Sequence, residues 1–135
     1  MDILFRISRW LWFLCSWMPL RVHYIFSDVV FFPLIYYVLR YRRALVKQQL
    51  RDSFPDYDEA RLRQIERDFY PWFSDYVVET LKLMSISPDE MRRRMEMVNL
   101  TEVDLQWESE GAPFCFLYLG HFGNWEWVSS IPLWT

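Results

Sequence analysis

Three hydrophobic patterns succeed one another along this chain, and each predicts a different kind of element. From Ile3 to Leu20, and again from Val22 to Leu39, apolar residues crowd every side with few polar interruptions. From Leu62 to Met84 they recur at spacings of three and four: Leu62, Ile65, Phe69, Trp72, Phe73, Tyr76, Val77, Leu81, Met84. That period lays one continuous stripe along an amphipathic helix. Asp56, with Glu59 three residues on, reads as the start of this helix. Arg61, Arg63, Glu66, Arg67, Asp68 and Lys82 form its expected solvated face, and Pro71 predicts a bend inside it. Ser87-Pro88-Asp89-Glu90 starts a further helix, with Ser87 as cap and Pro88 in the first turn. From Met95 to Leu100 the pattern alternates as a strand does, and Phe114 to Leu119 reads as a short buried strand. A turn and a second apolar segment from Trp125, capped by Asn124, complete the pattern.

The expected fold class is therefore α/β, and incomplete. A helical, membrane-associated N-terminal half is followed by the first strands and first helix of an α/β domain. Two regions are expected: apolar, basic helices over residues 1–54, and a helical segment with the start of the α/β domain over 55–135. Two strands and one helix do not cover both faces of a sheet. The chain is therefore expected to be the front part of a longer domain.

The first apolar segment follows Arg6 and Arg9 in the manner of a signal peptide. It lacks a small-x-small cleavage site and runs straight into the next segment, so it is expected to be retained. Val22–Leu39 approaches the ~20 residues that cross a bilayer. It also carries His23, Ser27, Asp28 and Pro33, and charge at the bilayer centre is costly. Two short helices dipping into one leaflet, broken near Pro19 and Pro33, fit as well as a span. Arg40, Arg42 and Arg43 come next and mark the cytoplasmic side. They serve as topology and lipid anchors, or they grip a substrate phosphate or an acidic carrier.

Charge sharpens this reading. Residues 1–54 hold eight Lys/Arg against three acids, and the remainder holds seven against fifteen. Basic charge coincident with the most apolar stretch favours an anionic lipid surface over nucleic acid. Aromatics make up 20% of the chain, with eight Trp, so large rings must be buried in a core or an interface. Cys15 and Cys115 sit in apolar runs and read as buried free thiols. With His23 and His121 they show no metal-ligand spacing, so no metal is expected.

The candidate chemistry lies in Gly120-His121-Phe122-Gly123-Asn124-Trp125-Glu126, where two of the chain's three glycines bracket a His. A His at the end of a strand and before a helix is a usual place for chemistry. Glu126 in the first helical turn can reach back to the imidazole and steady its charged form. The other ring nitrogen is then free to take a proton from an incoming hydroxyl. No Gly-x-Ser-x-Gly elbow is present, so the nucleophile belongs to the substrate. The plain alternative is a structural His whose hydrogen bonds are satisfied.

This segment resembles the His-x4-acid motif of the bacterial lipid A biosynthesis acyltransferases, in the Asn-Trp-Glu form of the late, lauroyl/myristoyl family. These belong to the lysophospholipid acyltransferase superfamily. Pro19-Leu20-Arg21, Ser27-Asp28, the Arg40–Arg43 cluster, Leu50 to Pro55, Phe69-Tyr70 and Glu79 to Lys82 are similar in the same order. The resemblance implies a glycerolipid-acyltransferase-like domain and an enzyme at the cytoplasmic face of the bacterial inner membrane. It would move a fatty acyl chain from acyl carrier protein to a hydroxyl of a lipid A precursor. His121 would be the general base and Glu126 its partner, with Gly123 and Asn124 near the substrate and no cofactor beyond the carrier's thioester. Other glycolipid or aminolipid acceptors, or an inactive membrane-anchored interaction module, are the alternatives.

Overall fold

The computed structural model describes residues 2–111, 113, 114, 116 and 118–134. Its contacts divide the chain into two compact units, Met1–Met84 and Ser85–Thr135.

Every regular element among the described residues of the first unit is a helix. α1 (Asp2–Ser16) ends at a break, and α2 (Leu20–Phe26) runs on through two π-helical turns, Ser27–Phe31 and Leu34–Val38. Pro33 lies between those turns. It has no N–H to give the α-helical ladder, and the widened hydrogen bonding around it keeps Leu20–Val38 helical through the site of the expected break. Leu39 N–H, for example, donates to Leu34 O, five residues back, at 2.8 Å. The break near Pro19 does form: Phe5–Ser16 and Leu20–Val38 meet at 110°. No single helix among the described residues is long and apolar enough to cross a membrane, while this bent pair has the length and composition to do so.

Arg40 and Arg42 take left-handed backbone, φ 49° and 52°, and turn the chain into α3 (Arg43–Ser53). α4 (Glu59–Lys82) is the central helix of this unit. Its cap is Asp58, not Asp56: the Asp58 carboxylate accepts from Arg61 N–H at 2.7 Å. Ile35, Tyr36 and Tyr70 form the core, with Phe31, Phe32, Val46, Phe69 and Phe73 packed around them.

The buried line of α4 is Leu62, Glu66, Tyr70, Ser74, Val78 and Lys82, at every fourth position. This corrects the expected solvated face, because Glu66 and Lys82 are buried. Each is compensated by a partner from another element. Glu66 accepts from Arg43 Nε at 2.7 Å, and Lys82 Nζ donates to the Ser16 and Met18 carbonyls at 2.8 and 3.0 Å. The Lys82 bonds hold the ends of the chain around the α1–α2 break. Apolar periodicity cannot reveal such charges, because their burial depends on partners distant in sequence.

In the second unit, α5 (Pro88–Arg94) begins as expected: Ser87 Oγ accepts from Glu90 N–H, and Pro88 opens the helix. α6 (Leu100–Glu110) lies between Asn99 and Gly111, at φ 62° and 60°. A 3₁₀ helix, Trp125–Leu133, follows, with Trp127 buried. The Arg92 guanidinium donates from Nη2 to the Leu133 carbonyl at 2.8 Å and ties α5 to the 3₁₀ helix.

The expected α/β class is overturned, because the described residues contain no strand. A strand needs a neighbour to take its backbone hydrogen bonds. The expected partner, Met95–Leu100, is cut short by the left-handed turn at Asn99 and the start of α6. Phe114, Phe116, Tyr118 and Leu119, expected in a buried strand, are all exposed. Cys15 is a free but exposed thiol, contrary to its expected burial, and Cys115 lies outside the described residues.

Candidate functional site

The turn that carries His121 is built by backbone geometry. Phe122 N–H donates to the Gly120 carbonyl at 2.9 Å, a tight three-residue turn, and Gly123 follows at φ +60°. A Cβ added at Gly123 would meet no atom within 4 Å, so its demand for glycine is conformational and not steric. Asn124 sits at the N-cap position of the 3₁₀ helix and makes no side-chain cap bond. The helix start is closed instead by Trp127 N–H donating to the Asn124 carbonyl, at 3.2 Å.

His121 is exposed on this turn. Its ring meets the Trp125 ring edge to face, with centroids 4.7 Å apart, and this contact limits the imidazole's freedom. Glu126 is half-buried in the first turn of the 3₁₀ helix, directly after Trp125. The structure thus sets His121, Trp125 and Glu126 on one turn and helix start. The role of Trp125 as a ring partner was legible only as spacing: it lies four residues from His121.

The basic residues separate. Arg40 and Arg42 are exposed at their left-handed turn. Arg43 is half-buried, pairs with Glu66, and lies 4.1 Å over the Tyr36 ring. The Glu66 bond holds the Arg43 guanidinium above its usual pKa, so its charge is committed within the fold.

A second polar group lies within the first unit, around the His23, Ser27 and Asp28 that interrupt the Val22–Leu39 apolar run. Tyr24 Oη donates to Glu79 at 2.7 Å. Burial pushes the Asp75 carboxyl above the usual carboxylate range, and Asp28 and Glu79 add to this while the Ser27 hydroxyl offsets it. His23 and Ser27, both buried, fall one turn apart on α2 and its continuation. The four-residue spacing of His23 and Ser27 within the apolar run puts them on one helix face. Among the described residues, no three His, Cys, Asp or Glu side chains gather as a metal site would need.

A family model described as bacterial lipid A biosynthesis acyltransferase matches residues 4–131, nearly the whole chain and all of the His121 turn. No curated protein and no solved structure matches.

Proposed function

Since the chain belongs to the bacterial lipid A biosynthesis acyltransferase family, we propose that it transfers a fatty acyl chain from acyl carrier protein to a hydroxyl of a lipid A precursor, with His121 as general base. The observation that carries this reading is the inclusion of the His121 turn in the family match, on an exposed and ring-supported imidazole. His121 takes the proton of the acceptor hydroxyl as its oxygen attacks the thioester carbonyl. The tetrahedral intermediate collapses and the C–S bond breaks. The carrier's thiolate leaves with the proton held by the imidazolium, giving ester and thiol. Glu126 stabilises the imidazolium between these two transfers. Gly123 shapes the turn that admits the acceptor, and Asn124 adjoins it.

In this reading the reaction runs at the cytoplasmic face of the inner membrane. The exposed apolar residues of α1, Phe5, Ile7, Trp10, Leu11, Trp12 and Leu14 among them, suit an acyl-chain environment. Arg40 and Arg42 suit anionic headgroups.

The test is made at the native locus. Replacing the His121 codon with Ala and weighing the cell's glycolipids by mass spectrometry should show loss of one acyl chain. Transfer in membranes should fall by about 10²–10⁴-fold, the usual contribution of a positioned base. Transfer within a few-fold of the parent would overturn the role of His121. An unchanged lipid A mass alongside a different acyl-deficient lipid would move the acceptor to that lipid.

A further inference from the structure

A general base works only when its nitrogen lies within about 2.6–3.2 Å of the proton it takes. An imidazole turns about two side-chain bonds, each with more than one well. His121 is exposed, so burial does not select among these orientations. The ring in contact with it is that of Trp125, with centroids 4.7 Å apart and planes at 68°.

The backbone decides that Trp125 takes this place. The bond from Phe122 N–H to the Gly120 carbonyl and the left-handed Gly123 fold the chain back between the two rings. Trp125 is the first residue of the 3₁₀ helix and is half-buried. Trp127, two residues on, is buried and closes the helix start through its N–H bond to the Asn124 carbonyl. The indole is thus anchored on the helix, while the imidazole leans on it from the turn.

We infer that Trp125 is a positioning residue for His121: its indole holds the imidazole in the orientation that presents a ring nitrogen to the acceptor hydroxyl. The inference rests on the reading of His121 as general base. An aromatic pair of this geometry raises the population of the paired orientation by about two- to tenfold. That gain appears in the chemical step, because it aims the base without adding a contact to the substrate. Glu126 has a different part in the same turn, which is to steady the charge of the imidazolium.

The test has a spectroscopic arm and a kinetic arm. The chain has two histidines, so the imidazole proton resonances of the purified full chain in micelles come from two residues, and His121→Ala assigns them. The ring current of the indole should displace the His121 resonance, and Trp125→Leu should abolish that displacement. In membranes with matched protein levels, Trp125→Leu should lower kcat for acyl transfer by about three- to tenfold and leave KM for the acceptor within about twofold. Trp125→Phe keeps a ring and should stay within about twofold of the parent. Added to His121→Ala, Trp125→Leu should cost nothing further, because its effect passes through the imidazole. A merely structural role would multiply the two losses and would overturn the inference. So would a His121 resonance that Trp125→Leu leaves unmoved, or transfer that it leaves undiminished while His121→Ala lowers it. Transfer undiminished by His121→Ala itself would overturn the base reading and the inference together. If Trp125→Leu loses its helical circular dichroism, Trp125→Phe decides: it should keep both the displaced resonance and the transfer, and loss of either would overturn the positioning role.

Discussion

Glu66 and Glu59 are both carboxylates on α4 paired with arginines, and they should behave differently. Glu66 is buried and holds Arg43 at 2.7 Å, with Lys47 at 3.8 Å. Glu66→Ala strands a half-buried guanidinium and should destabilise the first unit by about 1–3 kcal/mol in denaturant titrations. Glu59 meets Arg51 at 2.8 Å with both side chains largely exposed, and Glu59→Ala should leave the melting curve unchanged. Asp75 supplies a pH test. Its folded-state pKa is raised, first by burial, so the folded state holds its proton more tightly than the unfolded state. This site's contribution is therefore unfavourable at neutral pH and relieved as pH falls through the raised folded value. Asp75→Asn should raise the melting temperature by a few degrees at most at pH 7, and the gain should vanish below the ordinary carboxylate range. In the proposed chemistry, Glu126→Gln should lower transfer less than His121→Ala, since it removes the charge behind the base and leaves the base itself.

At the scale of elements, the decisive features are turns. Gly123 at φ +60° fixes the path from His121 into the 3₁₀ helix. An L-residue there pays about 1–2 kcal/mol for left-handed backbone, and Asn pays less than a β-branched residue. Gly123→Asn should therefore keep more acyl transfer than Gly123→Val, in parallel assays of membranes with matched protein levels. The capping turn at Ser87 was legible because both its partners lie within four residues. The strands were not, because a strand is defined by a distant neighbour. Met95–Leu100 alternates as a strand should, yet Asn99 turns left-handed and α6 begins. Of the candidate site, the residues and their order were readable, and so was the glycine at the turn. The edge-to-face contact of His121 with Trp125 was not, since it depends on how the turn at Phe122 and Gly123 folds the chain between the two rings.

At the scale of the whole chain, the asymmetry of charge and apolarity is the main physical fact. Basic residues concentrate in residues 1–54, together with the exposed rings of α1. The proposed membrane surface predicts stronger sedimentation with vesicles containing anionic lipid than with neutral ones. Arg40→Glu and Arg42→Glu, both at exposed positions, should each weaken that binding by fivefold or more, from about 1 kcal/mol per basic residue near such a surface. The effect should shrink as salt is raised. Equal binding to neutral vesicles, unchanged by the substitutions, would remove the arginines from the anchoring role.

The sequence by itself determined the helices with strong periodicity or near-neighbour caps, the break near Pro19, the basic, apolar front and the residues of the His121 turn. These rest on interactions spanning one or two turns of chain. Tertiary structure alone decided that Glu66 and Lys82 are buried, that Arg43 is committed to Glu66, that Pro33 is absorbed by π-helical turns, and that Phe114, Phe116, Tyr118 and Leu119 are exposed and in no strand. It also decided that His23 and Ser27 are buried. Each of these depends on which distant segment stands opposite. The free energy of a buried charge, a lone pair or an extended backbone is set by that neighbour and not by the residue's own place in the pattern.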